Sequence, residues 1–437
     1  MTTDQATTGR PLPRALRPFR NPAYRRLAVA LVLSTFGMGV WIVGLVWEVI
    51  RIGGGPAQLS VVSTAGAVGV MLPALIAGVV ADRVPQKMIL IGVSLLETAG
   101  IAVVATLSLT DTTALWHLAV VSFCAGVAMA FYFPAYTAWL PALVRESDLM
   151  AVNGFEGMVR PTIGNAVGPG VAGVVIGVAS PGAAIAVAAL AYAAGLVALL
   201  FVPLTPVRRE LDAESVGHPV RTAVRDMAEG FRYMVCTPWL LATLLFASLM
   251  ILAVMGPLEV LIPFLIKDRL GGGSGDHALV LAAFGIGGAL GSLGMASIRM
   301  PRRYLSVMNL MWGVACVPLL VMGAATTVWM VVLAALVMGA AFSAPMVIWG
   351  TLLQRRVPPA LLGRVSSLDF FVSLALMPVS MALAGPVSEA IGLRTTFTVA
   401  GLAPVVFAVV AVVWAKLPQD ELAHPLRDGE EETDPVS

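Results

Sequence analysis

The sequence predicts an all-α polytopic membrane protein with twelve transmembrane helices in two pseudo-symmetric halves of six. Three observations carry this. The 437-residue chain is 58% hydrophobic and only 12% charged, against about 25% charged in a soluble domain. Its charges fall in short clusters between apolar runs of roughly 20 residues, each long enough to cross about 30 Å of hydrocarbon. The chain also echoes itself. GVVADRVPQK, from Gly78 to Lys87, returns from Gly294 to Arg303 as GMASIRMPRR, with Asp82 replaced by Ile298.

The elements follow in order. Residues 1–26 are polar and rich in Arg, with no short apolar core or small-residue cleavage site, and read as a cytoplasmic lead-in. The first bundle, 27–203, holds spans near 27–50, 58–80, 87–109, 114–140, 149–178 and 181–203. A polar linker, 204–238, contains a stretch from Val220 to Tyr233 suited to an amphipathic helix along the membrane surface. The second bundle, 239–416, holds spans near 239–266, 277–299, 304–323, 327–354, 362–391 and 395–416, and residues 417–437 form a tail.

Orientation follows from the cations. With the N-terminus inside, about 22 of the 27 Lys and Arg residues face the cytoplasm; only Arg51, Lys267, Arg269 and Arg394 lie outside, and Arg160 lies within a span. Both termini and the linker are therefore placed on the cytoplasmic side of the inner cell membrane. The duplication extends beyond the opening motif. At one constant spacing Gly126 meets Gly339, Leu140 meets Leu353, Val152 meets Val365 and Glu156 meets Asp369. Parallel repeats of this kind build many secondary transporters.

Cys124, Cys236 and Cys316 are widely separated, and no disulfide framework or metal-ligand spacing is present. No phosphate-binding Gly-rich Lys loop, zinc-protease helix motif or Gly-x-Ser-x-Gly elbow occurs. The chain is thus expected to need no metal or cofactor, to drive nothing with ATP, to bind no nucleic acid and to have no catalytic residues. A monomer is expected.

Several motifs resemble the major facilitator superfamily. Gly78, Asp82, Arg83 and Lys87 match its loop 2–3 signature, whereas Pro85 and Gln86 stand where a Gly and a basic residue are usual. GNAVGPGVAG in span five is similar to the antiporter motif of drug–proton exchangers, with Gly164, Gly168, Pro169 and Gly173 in register. FRNPAYRRL, from Phe19 to Leu27, and FYFPAYTAWLPALV, from Phe131 to Val144, resemble the macrolide-efflux and enterobactin-exporter branch. The basic residue that many drug antiporters carry in span four is missing here. The resemblance implies that Asp82 latches against the start of span eleven when the cytoplasmic side is shut, with Arg83 and Lys87 anchored to phosphates or carboxylates. A mere topology signal is the alternative.

Ionisable residues within the membrane are costly and default to functional candidates. Glu156 and Arg160 stand i, i+4 in span five and can pair, as a proton-sensitive switch or a structural ion pair. Glu259 lies between Pro257 and Pro263 in span seven, which by resemblance lines the central cavity, and is read as a cation- or proton-binding group or else an outer-end polar contact; Glu97 lies midway along span three, where a structural role competes. The glycines of the antiporter motif are expected to pack on a small face of span eight, Gly287, Gly291 and Gly294. Trp41, Tyr132, Tyr136 and Trp349 are candidate cavity aromatics, suited to bulky amphipathic ligands or simply to packing.

The expected function is proton-coupled efflux of hydrophobic or amphipathic small molecules by alternating access, energised by the proton gradient. Export of an endogenous metabolite such as a siderophore is the alternative within that class. A non-transporting membrane sensor or scaffold is the alternative outside it.

Overall fold

The computed structural model describes residues 17–74, 76–77, 80, 84–145, 148–204, 219–298 and 300–426. Among them there is no strand. The first six helices are α1 (Pro22–Arg51), α2 (Pro56–Met71), α3 (Gln86–Leu109), α4 (Leu115–Leu143), α5 (residues 149–178) and α6 (Pro181–Leu200). The linker helix is α7 (Pro219–Cys236). The second set is α8 (Pro238–Arg269), α9 (Ser274–Ala296), α10 (Tyr304–Ala324), α11 (Val328–Arg356), α12 (residues 359–391) and α13 (Leu393–Trp414), followed by a short α14 (Leu417–Ala423). Eleven are long and apolar enough to cross a membrane, and α2 is a shorter apolar helix of 16 residues. With α2 as the twelfth span, α1–α6 and α8–α13 are the two sets of six. Gly78, Asp82 and Arg83 lie outside the described residues.

Local chemistry sets the helix starts. Pro22, Pro56, Pro181 and Pro238 each open a helix, where a missing N–H is harmless and the fixed φ is already helical. Asn21 and Ser180 add side-chain caps, accepting from Ala23 N at 2.9 Å and Ala183 N at 3.1 Å. α12 is not continuous: a turn at Ala375 and Leu376 separates Pro359–Leu374 from Met377–Ile391, just before Pro378.

The duplication reappears as packing. A side chain at Gly69 would strike the Phe123 carbonyl, and one at Gly126 the Gly66 carbonyl, so α2 and α4 touch backbone to backbone. In the second half Gly287 meets the Leu336 carbonyl and Gly339 the Phe284 carbonyl, fastening α9 to α11 in the same way. The small face of α9 is therefore spent on α11, since Gly291 also lies on Ala340, while Gly294 has nothing within 4 Å. This corrects the expectation that Gly287, Gly291 and Gly294 pack against the antiporter motif. α5 packs on a different strip of α9, at Gly275, Ala278 and Gly285.

Polar clamps tie helix ends together within each half. Away from the termini, Arg51 binds Glu48 at 2.8 Å and Asp111 at 2.6 Å, tying α1 to the end of α3. In the second half Arg269 donates to the Gly323 carbonyl at 2.7 Å, tying α8 to α10. At the other end Glu421 of α14 accepts from Leu305 N, Ser306 N and Ser306 Oγ at 2.9, 3.1 and 2.8 Å, capping α10. The helix expected between Val220 and Tyr233 forms as α7. It leans on α12, with Glu229 paired to Arg364 at 2.7 Å and Gly230 against Leu368.

Candidate functional site

The two sets of helices meet along two seams at the end away from the termini. Ser60 Oγ of α2 accepts from Gly385 N of α12 at 2.9 Å. A Cβ at Gly385 would lie only 2.6 Å from the Ala57 Cα, so this seam is backbone-tight. In the second seam Ser274 of α9 donates to the Gly173 carbonyl of α5 at 3.1 Å. Nearer the termini α5 and α9 part around a cavity of about 480 Å³. It is lined by Met158, Pro161, Thr162 and Asn165 of α5, Phe284, Ser292 and Leu293 of α9, and Ser343 of α11. Neither Asp, Glu, Lys nor Arg is among the lining residues.

The antiporter motif sits where α1, α5 and α9 join. Gly164 faces Thr35, and Gly168 lies 2.9 Å from the Gly39 Cα, both on α1; only Gly173 faces α9, at Gly275 and Ala278. Pro161 and Pro169 each remove a backbone donor, and between them Arg160–Val167 widens into a π-helix. Gly168 N reaches back to the Ile163 carbonyl, one residue further than an α-helix would. This widened turn carries Arg160 and forms one wall of the cavity.

The ionisable candidates are distributed unevenly. Glu156 and Arg160 are near neighbours, but no ion pair joins them among the described residues; Arg160 lies 4.2 Å over the Phe133 ring. The expectation of a Glu156–Arg160 pair is corrected, because the guanidinium finds a π-face instead. Around Glu156 stand Tyr136 of α4 and Tyr24 of α1, and nothing in the sequence marks Tyr24 as a partner. Tyr132 stacks on Tyr136 with ring centroids 5.6 Å apart, and beyond it Glu97 of α3 meets the Tyr192 hydroxyl of α6. Glu259 stands apart, exposed on the π-helical turn Pro257–Leu261 of α8 and toward the opposite end.

Of the candidate aromatics, Trp41, Tyr136 and Trp349 are 6%, 2% and 6% exposed, and Tyr132 is half-buried. None of the four lines the cavity. Trp349 instead packs edge-on to Trp239 and Trp312 and donates to Asp369. Lys87 donates to the Leu200 carbonyl at 2.9 Å, capping the end of α6.

Residues 14–430 match the family model described as transmembrane secretion effector, a branch of the major facilitators. The chain belongs to that family. It is a family of transporters, not of enzymes. Among similar proteins is the multidrug efflux pump Tap of Mycolicibacterium fortuitum, 28% identical over 428 residues, covering 92% of this chain and 98% of the relative. Macrolide efflux protein A of Streptococcus pyogenes is 24% identical over 335 residues, covering 76% and 81%. Among solved structures, a bacterial homolog of the human lysosomal transporter Spinster, inward-facing and unoccupied, superposes with a TM-score of 0.66 at 15% identity, covering 94% of this chain and 99% of that one. The nucleoside transporter NupG gives 0.65 at 15% identity, covering 92% and 99%. Those two likenesses concern the fold.

Proposed function

We propose that this protein is a proton-coupled exporter of hydrophobic or amphipathic small molecules, working by alternating access in the cytoplasmic membrane with both termini inside. The observation that carries this reading is the uncharged cavity between α5 and α9, set below two seams that close the far end. With the orientation given by the positive-inside rule, the seams face outward and the cavity faces the cytoplasm. This conformation is then the one that loads cargo from the inside. A wall of Met, Phe, Leu and Pro with a few hydroxyls and one amide suits a bulky, weakly polar ligand and not a polyanion. Both efflux relatives, matched along most of the chain, support export rather than sensing. No metal, ATP or organic cofactor enters the scheme; the proton gradient supplies the energy, to a monomer.

The test uses purified protein in liposomes with ethidium as probe. An imposed proton gradient should drive ethidium movement, and a protonophore should abolish it. Movement without dependence on the gradient removes the coupling. No movement of ethidium or of a panel of macrolides and siderophores, despite folded protein, returns the sensor or scaffold alternative.

A further inference from the structure

The internal repeat that sets Glu156 opposite Asp369 also sets Tyr136 opposite Trp349 and Arg160 opposite Ser373. The two copies of this constellation are built alike and finished differently. In the second half it is closed: Trp349 Nε1 donates to Asp369 Oδ2 at 2.9 Å, and Ser373 Oγ donates to Asp369 Oδ1 at 3.2 Å. In the first half it is open. Glu156 Oε1 is buried without a hydrogen-bond partner, and so are the hydroxyls of Tyr136 and Tyr24 that stand beside it. Arg160, in the place of Ser373, has turned onto Phe133.

Tyr24 is 0% exposed and Tyr136 2%. Buried donors and an acceptor that face each other unbonded are each unfavourable by about 1–3 kcal/mol. Such an arrangement persists when it is one of two states of the same element. Two donors and a guanidinium surround a carboxyl whose Oε1 none of them bonds at good geometry, with the Tyr136 hydroxyl the nearest to closing on it; such a site is poised for a charge. A protonated Glu156 fits the conformation seen, since a neutral carboxyl needs no counter-ion. A carboxylate fits a conformation in which the hydroxyls and Arg160 have closed on it.

We propose that Glu156, Tyr24 and Tyr136 form the proton-binding site of this transporter, and that Asp369, Trp349 and Ser373 are its fixed structural counterpart. The proposal rests on the proton-coupled reading above and names the site that reading requires. The proton leaves the Glu156 carboxyl for cytoplasmic water. The carboxylate left behind draws in both tyrosine hydroxyls and pulls Arg160 away from Phe133. Because Tyr24 is on α1, Tyr136 on α4 and Glu156 on α5, this closure draws α1 and α4 onto α5, whose next turn, Gly157, Met158 and Pro161, lines the cavity. The titratable and charged groups facing Glu156 are Tyr24 from α1, Tyr132 and Tyr136 from α4, and Arg160 from its own helix, with Glu97 of α3 reached through Tyr132.

Full-length protein in liposomes with ethidium tests the site. Glu156→Gln should keep ethidium binding, read by fluorescence anisotropy, and gradient-free ethidium exchange, while losing at least tenfold in gradient-driven transport. Tyr136→Phe and Tyr24→Phe should each shift the pH midpoint of transport by about one unit, a tenfold change in proton affinity. Asp369→Asn should lower thermal stability and leave that midpoint in place. Gradient-driven transport preserved in Glu156→Gln, or an unmoved midpoint in both tyrosine variants, overturns the proposal; a constellation that serves structure alone gives the second result. If the unaltered protein shows no gradient-driven transport, the proton-coupled reading itself has failed, whatever the variants do.

Discussion

At Gly39 one hydrogen atom stands where any side chain would meet the Gly164 carbonyl and the Pro169 ring. The antiporter motif therefore has its complement on α1, and the contact is as demanding on that side as on its own. Gly39→Leu should force α1 from α5 at about 1–3 kcal/mol, read as a lower unfolding temperature in detergent and loss of ethidium efflux from cells. Gly170, inside the same motif, has nothing within 4 Å, and Gly170→Ala should change neither. Equal effects of the two substitutions would show that the motif acts through composition rather than contact. Residue-scale legibility was uneven for the same reason. Glu156 stood out because a charge in an apolar run is conspicuous in any sequence. Tyr24 did not, because a tyrosine near a helix start is ordinary until the fold brings it to a carboxylate 132 positions away.

Among the elements, α5 is the one whose regularity is broken where it borders the cavity. Pro161 and Pro169 bracket the π-helical turn Arg160–Val167, and such turns can pass along a helix as it bends. Pro169→Ala returns a backbone donor and favours a plain α-helix. Ethidium efflux by this variant should fall severalfold at unchanged protein level, measured as rate in cells against the amount of protein in the membrane. A rate equal to the original would mean that the widened turn is static. The two prolines were legible in the sequence as a bend; the π register was not, because it depends on which carbonyls the neighbouring helices leave free. The amphipathic α7 was legible from its charge pattern, yet its seat on α12 through Glu229 and Arg364 was decided by the position of another span.

Among the described residues the two halves are joined at one end by contacts too close for side chains, and nearer the other end α5 and α9 part around a cavity. Gly385 is the tightest point of the α2–α12 seam. Gly385→Val should wedge it at about 2 kcal/mol, a roughly 30-fold shift between the two conformations. In a background with Ser60→Cys and the three native cysteines replaced, labelling by a membrane-impermeant maleimide from outside should rise accordingly. Labelling that stays low would leave the seam without a part in alternating access. By itself the sequence determined the all-helical class, the spans and the duplication, since these follow from local hydrophobicity, proline and glycine placement and self-similarity. Only the tertiary structure decided which small faces meet, putting Gly287 and Gly291 on α11 and Gly164 and Gly168 on α1. It also decided that one copy of the duplicated carboxylate is bonded and the other open. The physical reason is that a hydrogen bond or a backbone contact is made in space: two halves with matching residues can close one constellation and leave its twin waiting.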